Sequence, residues 1–208
     1  MPQLTFLAVV CFVAMLSPGP DFVLVARSSL TQPRKQALAT ALGILSGCVV
    51  HATYCVLGLA LVITKSVLLF STIKLAGACY LIYLGIKSFL GAGKSSSTVE
   101  LDGIVPIGCV SAKQAYVQGL LCNLLNPKLA VFLLSLFTQF LSPGATTSEK
   151  MLVAAVFVGE AALYWPLLVV TLQRPRAGQF FENIRAPIDR ICGAMLVALG
   201  LRIALERR

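Results

Sequence analysis

Four ionisable residues interrupt otherwise apolar runs of this sequence: Asp21, Lys74, Lys128 and Glu160. Their formal charges cancel, which suits burial in pairs rather than exposure to hydrocarbon. Two of them directly follow a proline, Asp21 closing Ser17-Pro18-Gly19-Pro20-Asp21 and Lys128 closing Asn126-Pro127-Lys128. Charges kept beside helix breaks inside apolar runs serve each other or a ligand. His51, the single histidine, is a candidate proton relay, with a merely hydrogen-bonded histidine as the competing reading. Lys74 and Glu160 read as a structural charge pair tying two helices together.

Other chemistries find little footing. An intramembrane enzyme working through Asp21, His51 or Glu160 needs a matched carboxylate pair, a metal cluster or a nucleophile beside a base. The sequence has no H-E-x-x-H and no G-x-S-x-G. Its seven cysteines form no C-x-x-C pair, and six sit in or beside apolar runs as small hydrophobes, so neither a metal site nor a disulfide framework is expected. The formal charge of +9 is not arranged as a basic stripe interleaved with aromatics, which argues against nucleic acid.

The elements that position these residues follow from composition. The chain is 58% apolar and 12% charged, with mean hydropathy +0.88. Soluble domains carry about 25% charged residues, so lipid is the expected solvent. The predicted fold is all-α, a polytopic membrane protein of six transmembrane helices over residues 4–25, 37–64, 67–90, 116–141, 151–172 and 188–205. Residues 1–16 lack a basic flank and a cleavage site, so they read as a retained span rather than a signal peptide.

Residues 1–208 form one transporter domain in this reading: a three-helix half (1–90), a loop (91–113) and a second three-helix half (114–208). Odd-numbered halves that repeat must be inverted, and each opens with a proline-broken span, the sequence sign of a central transport site. One set of loops holds Arg27, Arg34, Lys35, Lys87, Lys94, Lys113, Arg174, Arg176, Arg185 and Arg190. The other holds Lys65, Lys150, Arg202, Arg207 and Arg208. Ten against five places the first set, with the 91–113 loop, in the cytoplasm and both termini outside.

The breaks have a physical cost. Pro18 and Pro20 lack N–H groups, freeing the carbonyls of Ala14 and Leu16, and Pro127 frees that of Asn123. Gly19 lets the chain leave helical geometry. Unpaired backbone in hydrocarbon costs several kcal/mol per group, so it survives only against protein, water or ligand. A packing kink is the plainer alternative. At ~1.5 Å per residue, Asp21 lies roughly 25 Å and Lys128 roughly 20 Å from the outer face, with His51 in the same layer. Gly43, Gly47 and His51 recur every fourth residue, a small-residue stripe for close helix packing or for sliding beside a pore.

The proline string, the Gly43…Gly47…His51 stripe, Lys74-Leu75-Ala76-Gly77…Tyr80-Leu81…Tyr83-Leu84-Gly85, Gly119…Asn123-Leu124-Leu125-Asn126-Pro127-Lys128 and Arg190-Ile191-Cys192-Gly193…Gly200 occur in this order. Together they resemble the LysE/RhtB amino-acid exporters, in the homoserine/threonine/leucine-efflux branch. The resemblance fades toward the last two spans, where side-chain selectivity could be set. It implies export of amino acids or close derivatives across the bacterial inner membrane, driven by the proton motive force, without a cofactor. For the zwitterion so implied, Asp21 fits the ammonium, while Lys128, Asn123, Asn126 and the N-terminal end of the half-helix after Pro127 fit the carboxylate. The expected partners are an amino-acid substrate, protons and the lipid bilayer; a homo-oligomer is compatible with the sequence. A non-transporting membrane subunit or scaffold is the other reading, and it predicts that breaks and buried charges tolerate change.

Overall fold

A computed structural model of the chain describes residues 2–17, 19–65, 67–91, 110–142 and 144–174, with Pro187, Arg190, Ile191, 193–198, 200, 201 and 205 beyond them. Pro18, most of the 91–113 loop and much of the last expected span lie outside the described residues. The regular elements are helices: α1 (Pro2–Leu16), α2 (Pro20–Thr31), α3 (Arg34–Lys65), α4 (Val67–Gly91), α5 (Ala112–Leu124), α6 (Pro127–Phe140) and α7 (Thr147–Leu172).

The expected first and fourth spans are each two helices. α1 and α2 meet at 61°, α5 and α6 at 55°. Local chemistry fixes both corners. Pro20 and Pro127 stand in the first turns of α2 and α6, where a missing N–H costs nothing. The Asn126 side chain caps α6 by accepting from the Lys128 N–H at 3.0 Å. Elsewhere α5 begins on a Ser111–Gln114 capping box and α7 on a Thr146–Glu149 box. Among the described residues, Arg34–Gly58 of α3 and Thr147–Leu172 of α7 are long and apolar enough to cross a membrane singly, and each bent pair adds one more if it is one span. The fold is thus an all-helical, multi-pass membrane architecture.

α3 is the hub, packing on α5 and α7 and also touching α2, α4 and α6. α1 and α2 both contact α7, α2 contacts α5, and α4 lies against α6. The glycine stripe explains the closest approach. A Cβ on Gly43 would strike the Tyr116 carbonyl, one on Gly47 the Asn123 side chain, and one on Gly119 of α5 the Thr40 carbonyl. Both helices of the α3–α5 contact therefore contribute a gap that lets the other's backbone in. Away from the core, α7 exposes Leu163 and Leu167 one turn apart, an outward apolar face suited to lipid.

Gln32, just past α2, joins three segments at one end of the molecule. Its side chain accepts from the Val110 N–H at 3.3 Å, and its carbonyl accepts from Gln173 Nε2 at 3.2 Å. The basic residues Arg27, Arg34, Lys35, Lys113 and Arg174 flank these contacts in sequence. Three loops of the more basic set thus gather on one face.

Candidate functional site

The two breaks face each other, and each is closed by the charge of the other. Asp21, in the first turn of α2, is buried, and its Oδ2 accepts from Asn123 Nδ2 at 2.8 Å and Asn126 Nδ2 at 2.9 Å. Both amides belong to the α5–α6 break. Lys128, in the first turn of α6, reaches back to the α1–α2 break, donating to the Ser17 carbonyl at 2.9 Å and to Ser17 Oγ at 3.0 Å. This ammonium thereby sits at the carbonyl end of α1, where the helix dipole favours a cation.

Gly19 has a different role from the one expected of it. Its φ of −151° and ψ of 179° are ordinary extended values that any residue adopts. What it supplies is room: an added Cβ would lie 3.2 Å from both Cδ and Nζ of Lys128. Glycine here admits the lysine.

His51 does meet this layer. Its Nε2 lies 3.1 Å from the Asn123 carbonyl, the group that Pro127 deprives of its helical donor. The Asn126 N–H donates to the same oxygen at 3.0 Å. Asp21, Asn123, Asn126, Lys128 and His51 therefore form one connected cluster, with Pro20 and Pro127 at its corners. Pro18 lies outside the described residues, as does the Lys74 side chain. Glu160 is half-buried, and its Oε2 has no hydrogen-bond partner among the described residues.

A cavity opens beside the cluster, lined by Ser17, Gly19, Asp21, Asn126 and Lys128 on its polar side and by Met15, Phe22, Phe132, Phe157, Trp165 and Leu196 on its apolar side. The cavity is small, about 50 Å³. Oδ1 of Asp21 is buried without a hydrogen-bond partner among the described residues. One carboxylate oxygen is thus held in place by two amides, and the Cys122 thiol, the other donor beside this carboxylate, is weak enough to leave Oδ1 available to a stronger one.

Sequence reading missed the apolar wall. Phe22, Phe132, Phe157 and Trp165 come from three different spans that are apolar on every face, so no periodicity marks which side chains converge. Ser17 and Cys48 also line the cavity, the first inside the proline string and the second one residue past the Gly47 stripe position. The single Trp immediately before Pro166 was the one signal available for the wall.

A family model described as LysE type translocator matches residues 12–207. The threonine efflux protein of Escherichia coli (strain K12) is 28% identical over 200 residues, covering 96% of both chains. The homoserine/homoserine lactone efflux protein of Salmonella typhimurium is 27% identical over 197 residues, covering 92% of this chain and 91% of its own. The uncharacterized membrane protein YrhP of Bacillus subtilis is 31% identical over 200 residues, covering 92% and 93%. No solved structure matches the chain.

Proposed function

The chain belongs to the LysE type translocator family, and we propose that it exports a small neutral amino acid or close derivative across the bacterial inner membrane, driven by the proton motive force. The family is one of transporters, not enzymes. The observation that carries the substrate class is the cavity between two oppositely charged breaks, with Oδ1 of Asp21 on one side and the Lys128 ammonium, tied to Ser17, on the other. Efflux of threonine and of homoserine by the named relatives supports the same class.

In this reading the substrate ammonium donates to Asp21 Oδ1 while Asn123 and Asn126 hold Oδ2. The substrate carboxylate competes with Ser17 for the Lys128 ammonium. Binding therefore loosens the tie between Lys128 and the first break, and a change at one break reaches the other half of the molecule. His51, bonded to the same asparagine that holds Asp21, is the relay candidate for the coupled proton.

Six spans arranged as two inverted halves fit this mechanism, and the helix contacts support them. Exchanging α1 with α5, α2 with α6 and α3 with α7 turns the α3–α5 contact into α7–α1. It likewise turns α2–α7 into α6–α3 and α2–α3 into α6–α7, each a contact of the fold, while the α2–α5 contact has no counterpart of like extent between α6 and α1. The exchange also puts Pro20-Asp21, at the start of α2, in correspondence with Pro127-Lys128, at the start of α6.

The test is efflux from vesicles containing purified protein and preloaded with single amino acids, with an imposed proton gradient or with the gradient collapsed. Export of a small neutral amino acid that stops on collapse is the expected result. Retention of every amino acid tested would overturn the reading; export unaffected by collapse would remove only the proton coupling.

A further inference from the structure

Two buried polar side-chain atoms at the cavity lack hydrogen-bond partners among the described residues: Oδ1 of Asp21, an acceptor, and Nε1 of Trp165, a donor. Trp165 is only 4% exposed, and among the described residues its indole N–H meets the Cys48 thiol, in a contact too weak to satisfy the donor. Sulfur is a weak acceptor, and Cys48 already receives Asn123 Nδ2 at 3.6 Å. A buried donor left in this state is costly unless a ligand supplies an acceptor. We propose that Trp165 is the residue that reads the substrate's side chain, its indole N–H donating to a hydroxyl oxygen. The inference rests on the transport reading above and deepens it.

The argument for a hydroxyl is one of elimination by chemistry at the cavity. An amino acid's ammonium is drawn to Asp21 and its carboxylate to Lys128, which leaves the side chain for the wall formed by Phe22, Phe132, Phe157, Trp165 and Leu196. Among the described lining residues that wall carries no second acid to neutralise a basic side chain and no second base for an acidic one. It is apolar apart from the indole N–H and the Cys48 thiol. The substrate that satisfies it is neutral, short enough for a small cavity, and carries one oxygen. A site that donates to a substrate hydroxyl discriminates strongly against the isostere lacking it, because the donor is then left unpaired.

Trp165 is the chain's only tryptophan, so intrinsic emission of the unaltered protein reports on this position alone. Titration of the wild type with L-threonine and L-homoserine, against the hydroxyl-free L-valine and L-2-aminobutyrate, reads the contact directly. The hydroxy amino acids should change the emission saturably at concentrations at least about tenfold below those their counterparts need. Trp165→Phe keeps a ring and removes the N–H; the ratio of threonine to valine efflux should fall at least about tenfold through loss of threonine export. Equal emission responses to threonine and valine, or an efflux ratio unchanged in Trp165→Phe, would overturn the assignment. Should Trp165→Phe not fold, the wild-type titration decides alone. A wild type that exports amino acids but ignores the hydroxyl sinks only the role of Trp165, whereas one that exports none sinks the transport reading beneath it.

Discussion

Asp21 and Lys128 stand at equivalent corners yet are held in different ways, and that difference separates their mutants. Asp21 is fixed through one oxygen by two amides, and an asparagine can still accept there through its own carbonyl oxygen. Asp21→Asn should therefore keep yield and thermal stability near wild type while efflux falls at least about tenfold, the factor that ~1.4 kcal/mol of lost binding produces. Stable Asp21→Asn protein exporting at the wild-type rate would remove the carboxylate from the mechanism. Lys128 also serves the fold, because it satisfies the Ser17 carbonyl. Lys128→Met leaves that carbonyl short of a donor and should lower thermal stability, consistent with ~1–3 kcal/mol for an unsatisfied buried group. Lys128→Gln restores a donor without the charge, so it should recover stability and not transport; recovery of both by glutamine would make Lys128 purely structural. The two charges and both asparagines were legible in the sequence because a charge beside a proline inside an apolar run has few explanations. Their cross-pairing was not. Nothing local says that Asn123 and Asn126 serve a carboxylate more than a hundred residues upstream, as their bonds to Asp21 show.

Helix packing explains why the breaks can face each other. α5 carries Asn123 and reaches Asp21 only because α3 lets it approach along Gly43 and Gly47, with Gly119 admitting α3 in return. Gly43→Leu or Gly119→Leu should each lose most folded yield, since the added side chain meets backbone that cannot step aside. Gly159 of α7 is the control: nothing described lies within 4 Å of an added Cβ, so Gly159→Ala should match wild-type yield in a size-exclusion profile. Wild-type yield in Gly43→Leu would mean that α3 and α5 are not in backbone contact. The stripe was visible as a four-residue period, yet its partner helix was not, because small residues advertise closeness without naming what comes close. The division of the first and fourth spans into half-helices was equally visible in their prolines. The angles were not, since they depend on the Asp21 and Lys128 ties that hold each corner.

At the scale of the whole molecule, the ties through Gln32 turn a charge count into a geometric claim. The segments around Arg34, Lys113 and Arg174 lie at one end of the bundle, whichever side of the membrane that end faces. The positive-inside rule, applied to the excess of basic residues, predicts that this end faces the cytoplasm. On the transport reading proposed above, the substrate would enter past this face, displace the Lys128–Ser17 tie and leave toward the α6–α7 turn. Single cysteines at position 34, at 113 and at 174, in a background cleared of native cysteines, test both parts of the claim. All three should resist an impermeant maleimide added to intact cells and react once the cells are opened, while a cysteine at Ser142 or Thr146 reacts from outside at once. Labelling of all three from outside would reverse the orientation while leaving the export reading and the shared face intact. Labelling of 34 and 113 from opposite sides would break the shared face itself. The two half-helix corners could then no longer lie in one layer, and the reciprocal closure of the breaks by Asp21 and Lys128 would fall with it.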